Sequence, residues 1–119
     1  MTARITIDRT GRVLADRARW ARTGKDRRKG LIGSPTLEPG EGLIVDRSPQ
    51  VHTFGMSRPI DVVFCTKSWT VKHIVRSMVP RRLSRVVLGA RYAIELPAGA
   101  AGDDLQVGDR VTVEEGRAD

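Results

Sequence analysis

Apolar and polar residues alternate with a period of two through most of this 119-residue chain, and turn formers interrupt them about every 10–15 positions. An extended backbone sends successive side chains to opposite faces, so such a pattern builds short strands. Arg4–Asp8 and Gly11–Trp20 read as a first hairpin turning at Arg9-Thr10-Gly11. In it, Leu14, Ala18 and Trp20 are expected on one face and Val13 and Ala15 on the other. Gly42–Val45 and Val51–Phe54 read as short strands on either side of Asp46–Pro49. Pro59 pushes the residue before it to extended geometry and marks the entry to a strand over Ile60–Cys65. A tight turn at Thr66–Ser68 leads into the longest strand, Trp69–Met78, on which Trp69, Val71, His73 and Val75 are expected to share a face. Tyr92–Leu96 and Arg110–Glu114 supply two more strands, and Val86–Leu88 is a further short candidate.

One segment reads differently. Thr23 can cap a helix, with Asp26 three residues on, and Arg27–Ile32 continues until Gly33, Ser34 and Pro35 stop it. The predicted fold class is therefore mainly β: a small single-domain β-sandwich or barrel of about eight short strands, with one short helix near residues 23–32. No repeat or linker divides the chain, so residues 1–119 form one domain with a frayed end at 116–119.

Composition narrows the class. At 39% hydrophobic and 29% charged residues the chain is an ordinary globular one, able to bury a single core. Cys65 stands alone and cannot form an internal disulfide. Met1–Asp8 reads as neither a signal peptide nor a spanning helix, so a cytoplasmic protein with no membrane partner is expected. The net charge of +7 is unevenly spread: residues 61–91 carry seven Lys or Arg against one acid, and 92–119 carry seven acids against two Arg. That asymmetry suits an anionic partner, or internal pairing of the basic start with the acidic end.

The run Val51–Phe64 collects the unusual residues of the middle of the chain. Asp61 interrupts a strand otherwise made of Ile60, Val62 and Phe64, and Glu95 does the same between Ile94 and Leu96. Were those strands neighbours, two carboxylates could face one pocket and act as acid and base. The structural alternative has each acid accept backbone hydrogen bonds or pair with Arg58 or Arg91. His52, Met56, Cys65 and His73 are the available soft-metal donors, but two His and one Cys fall short of a closed site, so no metal and no cofactor is expected. Arg27, Arg28, Arg81, Arg82 and Arg85 could form a cationic groove for single-stranded nucleic acid, although no aromatic-rich motif accompanies them.

Four blocks taken together resemble one family: Thr23 with Gly30-Leu31-Ile32; Met56 with Pro59–Phe64; Ala93–Leu96 with Ala98-Gly99; and Val107–Val111. Over roughly residues 15–114 they are similar to the prokaryotic domain of unknown function 192. The resemblance implies a small β-sandwich with a short helix and no established activity. The leading expectation is a ligand-binding or protein-interaction module with a pocket lined by His52, Met56, Asp61, Trp69, His73 and Glu95. The alternatives are an enzyme using Asp61 and Glu95 and a basic single-strand nucleic-acid binder. A small molecule or a protein is the expected partner, with nucleic acid not favoured and the oligomeric state open.

Overall fold

A computed structural model describes residues 2–24 and 37–116. Within them the chain forms seven strands: β1 (Ala3–Ile7), β2 (Val13–Ala21), β3 (Glu41–Asp46), β4 (Ile60–Cys65), β5 (Val71–Met78), β6 (Tyr92–Pro97) and β7 (Val111–Glu115). They make one sheet in the order β5-β4-β6-β3-β2-β1-β7. Its neighbours are antiparallel except for β2 and β3, which run parallel.

The sheet curls into a half-open barrel. Its two edge strands meet at one end through a bridge between Thr70 and Arg110. There Val71 N–H donates to Asp109 O at 2.7 Å and Val111 N–H to Trp69 O at 3.0 Å. Further along, Arg76 spans the gap and donates to Gly102 O at 3.0 Å and Leu105 O at 2.8 Å. Curling shortens the exposed edges that would otherwise invite pairing with other chains.

Two apolar layers follow. All seven strands contribute to the concave one, which includes Ile5, Ile7, Leu14, Ala18, Ile44, Val63, Cys65, Val71, Ile94, Leu96 and Val111. Trp20, Trp69 and Tyr92 pack against it. The convex layer belongs to the other face of β2–β6, with Leu43, Val45, Ile60, Val62, Phe64, Met78 and Ala93, and is covered by Val51 and Val87 from the connections.

Bulges decide which residue goes to which layer. Cys65 pairs with Val71 but Phe64 pairs with His73, so β5 carries one extra residue there. Val71 consequently enters the concave layer, while His73 and Val75 turn to the convex side with Phe64 and Val62. The single face expected for Trp69, Val71, His73 and Val75 is thus split in two. Two similar shifts in β2 carry Ala15 into the concave layer beside Leu14 and Ala18. Of the other expected elements, Val51–Phe54 contributes only an isolated bridge between His52 and Leu83, and Val86–Leu88 forms no strand. The helix expected near residues 23–32 falls almost wholly outside the described residues.

A second bulge in β5 has its own support. Val62 pairs with Val75 and Ile60 with Met78, leaving an extra residue at Arg76-Ser77, where Ser77 adopts a positive φ of 52°. Asp61, only 1% exposed, lies opposite. Its Oδ1 accepts the Ser77 N–H at 2.8 Å, and its Oδ2 accepts Gly99 N–H at 3.0 Å and Ala101 N–H at 2.9 Å. One carboxylate therefore ties the bulge to the turn after β6. Charge-assisted bonds of this kind are the stronger class, and leaving the donors unmade is costly. Asp61→Ala is expected to lower stability by about 3 kcal/mol or more in urea unfolding; a loss below about 1 kcal/mol would mean the tether contributes little.

Candidate functional site

β4 and β6 are neighbours, as a shared carboxylate pocket would require, but their register separates the two acids. Asp61 pairs with Leu96 and Val62 with Glu95. Directly paired residues share a face, so Asp61 points with Leu96 to the concave side and Glu95 with Val62 to the convex side. The acids lie on opposite sides of one sheet. Asp61 is moreover occupied by three backbone donors, which is the structural alternative stated above. Neither Arg58 nor Arg91 is its partner; Arg91 pairs with Asp46 at 2.7 Å, a hydrogen bond that holds the Asp46 carboxyl below its usual range.

Glu95 is the unusual group. It is 5% exposed, and among the described residues its Oε2 has no hydrogen-bond partner. Burial pushes its carboxyl up to about 7. Around it on the convex face are Leu43 and Val62, its cross-strand partners. Two residues along on the same face sits the pair Ile60 and Pro97. Both line a cavity of about 320 Å³ whose other walls are Leu37, Glu38, Pro39, Met56, Arg58, Pro59 and Ala98. The cavity is thus mainly apolar, with Arg58 and Glu38 as its charged side chains.

The remaining expected residues scatter. Met56 lines this cavity and packs against the convex layer. His73 stacks on Phe64, with ring centroids 6.1 Å apart, and burial, aided by the nearby Arg85, lowers its pKa. His52 is exposed beside Phe54, 5.7 Å between centroids. Trp69 stacks flat on Tyr92 at 3.9 Å, and Trp20 meets both edge-on at 6.0 Å. Arg22 lies over Trp20 at 3.9 Å, and the Trp20 indole N–H donates to Glu115 at 2.8 Å. This aromatic trio packs against the concave core where the barrel edges join. Of the six expected pocket residues, only Met56 lines the cavity; Glu95 is buried two positions along β6 from Pro97, one of its walls.

Cys65 is fully buried and its thiol is pushed up to about 12 by burial, so it is not poised as a thiolate. Among the described residues no three of His, Cys, Asp and Glu gather around a point that could hold a metal. Arg81, Arg82 and Arg85 are exposed, whereas Arg27 and Arg28 lie outside the described residues. Sequence reasoning missed Leu37, Pro39, Arg58, Pro97 and Ala98 as cavity walls. Pro59 and Pro97, flanking β4 and ending β6, were the available signal, since proline confines itself to strand ends.

The model of domain of unknown function 192, described as "Uncharacterized ACR", matches residues 5–113. A search of curated proteins finds no match. Two crystal structures share the fold. One is a Sinorhizobium meliloti 1021 protein whose name proposes a transcription regulator, with a TM-score of 0.80 and 22% identity over 93% of this chain and 91% of that one. The other is a protein of unknown function from Novosphingobium aromaticivorans DSM 12444, with a TM-score of 0.78 and 24% identity over 92% of this chain and 82% of that one.

The raised pKa of Glu95 makes a stability claim. The folded state holds this proton more tightly than the unfolded chain, so the stabilisation is complete below the unfolded value of about 4.5 and is lost as pH rises through about 7. Glu95→Gln removes the titration. The variant should therefore gain about 3 kcal/mol on wild type as pH is raised across that window. Parallel pH profiles of the two would show the effect, and superimposable profiles would mean Glu95 titrates normally.

Proposed function

The chain belongs to the domain of unknown function 192 family, described only as uncharacterized, and from that premise we propose that it is a non-catalytic module that binds a small amphipathic molecule beside Glu95. The observation that carries this reading is a nearly wholly buried carboxyl, one oxygen of which has no partner among the described residues, two positions along β6 from Pro97 in the cavity wall. A volume of about 320 Å³ suits a small ligand, at the lower end of the range for such pockets. Apolar walls from Leu37, Met56, Ile60 and Pro97 would hold its body. Burying an unpaired carboxyl is unfavourable, and a ligand that gives it a partner recovers that cost.

The polar end that suits Glu95 best is an amine. An ammonium beside the carboxylate makes a charge-assisted pair in a low-dielectric setting, and it pulls the carboxyl back toward its ordinary titration range. An aliphatic or aromatic amine with a short apolar body fits both the walls and the acid. The acid–base enzyme reading loses its geometric basis, because Asp61 faces away from Glu95.

A thermal-shift series of short alkylamines and benzylamine, each matched with the corresponding alcohol, tests the proposal. Amines are expected to raise the melting temperature, with about 2–3 kcal/mol of stabilisation at a hundredfold excess over Kd. The alcohols should do less, and Glu95→Gln should abolish the difference. Equal shifts by amine and alcohol, or an amine preference that survives Glu95→Gln, would overturn it.

A further inference from the structure

A second surface adjoins the cavity through the 51–56 segment, whose Met56 lines it. Between Arg47 and Ile94 the one acidic residue is Asp61, which is buried and bonded inside the fold. The same stretch carries Arg81, Arg82 and Arg85, all exposed, and none of the three side chains has a hydrogen-bond or ion-pair partner among the described residues. Arg9, Arg12 and Arg91 instead pair with Asp109, Asp104 and Asp46. Among the described residues the loop arginines are thus cations without an internal counter-charge.

Their backbone is nevertheless well held. Residues 51–53 and 82–84 form a short ribbon. Thr53 N–H donates to Arg82 O at 2.9 Å, Ser84 N–H to Val51 O at 2.8 Å, and the Thr53 hydroxyl to Val79 O at 2.7 Å. Val51, Thr53 and Ser84 are buried. Alternation along the ribbon then turns His52, Phe54, Leu83 and Arg85 outward. Phe54 is 51% exposed and Leu83 60%, while Leu88, on the adjoining turn, is 82% exposed. Large apolar side chains held outward on a bonded ribbon, between unpaired arginines, mark an interaction surface.

We propose that this face seats the protein on an anionic lipid surface, with Phe54, Leu83 and Leu88 entering the headgroup layer and Arg81, Arg82 and Arg85 meeting lipid phosphates. Charge complementarity selects an anionic partner, since among the described residues the face presents cations and no acid. Phe54 and Leu88 stand on turns and not in a groove, and a fluid interface accepts projecting side chains without a preformed socket. Phe54 and His52 could stack on bases, but the exposed Leu83 and Leu88 have no role on a nucleic acid, whose phosphates take cations and whose bases take aromatics; a lipid surface uses all of them. The absence of a spanning helix among the described residues is compatible with surface attachment, which needs no span.

Co-sedimentation of the full chain with vesicles of phosphatidylcholine alone, or of phosphatidylcholine with phosphatidylserine, tests the proposal. Binding to the anionic vesicles should be at least about tenfold tighter and should weaken with added salt. Two double variants separate the contributions. Phe54→Ser with Leu83→Ser keeps the charges, and Arg81→Gln with Arg85→Gln keeps the apolar groups; each should lose about tenfold in affinity for the anionic vesicles. Should the first double variant show a lowered melting temperature, Leu88→Ser takes its place. Equal binding to both vesicle types overturns the proposal. So does anionic binding indifferent to the apolar substitutions, or tighter binding to a single-stranded oligonucleotide that depends on the arginines alone. A protein that fails with amines but binds these vesicles loses the cavity reading and keeps this one.

Discussion

The carboxylate of Asp61 is the point on which this fold turns. A buried acid surrounded by Val63, Leu96 and Ala101 would be a severe liability without partners. Here it accepts three backbone N–H groups from two separate segments: the bulge of β5 and the turn that follows β6. The bulge bends the edge strand, and increased local twist of this kind is what lets a sheet curl. The turn leads to Ala101 and Leu105, which fill the concave layer, and to Asp104 and Asp109, which bind Arg12 and Arg9 from the first hairpin. Those arginine bonds hold both aspartates below their usual range. One buried carboxylate thus links the edge-strand bulge to the turn that closes the barrel.

On the other side of β4 and β6, the convex layer is covered by the 51–56 and 79–90 segments, together with the chain entering β3. Among the described residues, Ile60 and Pro97 on this side wall a cavity. Glu95 lies in this layer as its buried carboxyl, which is why its proton is held and Asp61 draws backbone bonds instead. Two acids of nearly identical local sequence context have acquired different physical roles. Environment, and not residue type, separates them.

Much of the architecture was legible in the chain. Short alternating runs and turn residues announced an all-β domain, and β4, β6 and β7 fall close to where the alternation places them. Pro59 marked the start of β4 for a local steric reason. Faces were less legible. A two-residue period assigns a side chain to one side only until an extra residue enters, and β2 and β5 each contain two such insertions. His73 and Val71 were therefore expected together and lie on opposite layers. The aromatic trio escaped notice for a different reason: Trp20, Trp69 and Tyr92 come from distant segments that meet only where the sheet edges close.

By itself, the amino-acid sequence determined that this is a single β domain, that Asp61 and Glu95 interrupt apolar strands, and that its middle is cationic. Those are properties of composition and local alternation, which need no partner strand. Only the tertiary structure decided that the two acids face away from each other, that one is saturated with donors, and that the other is buried on the face where Ile60 and Pro97 wall a cavity. Register between β4 and β6 is a relation between segments some thirty residues apart. A shift of one position would exchange the faces of every side chain in the pair, and nothing local to either strand specifies it.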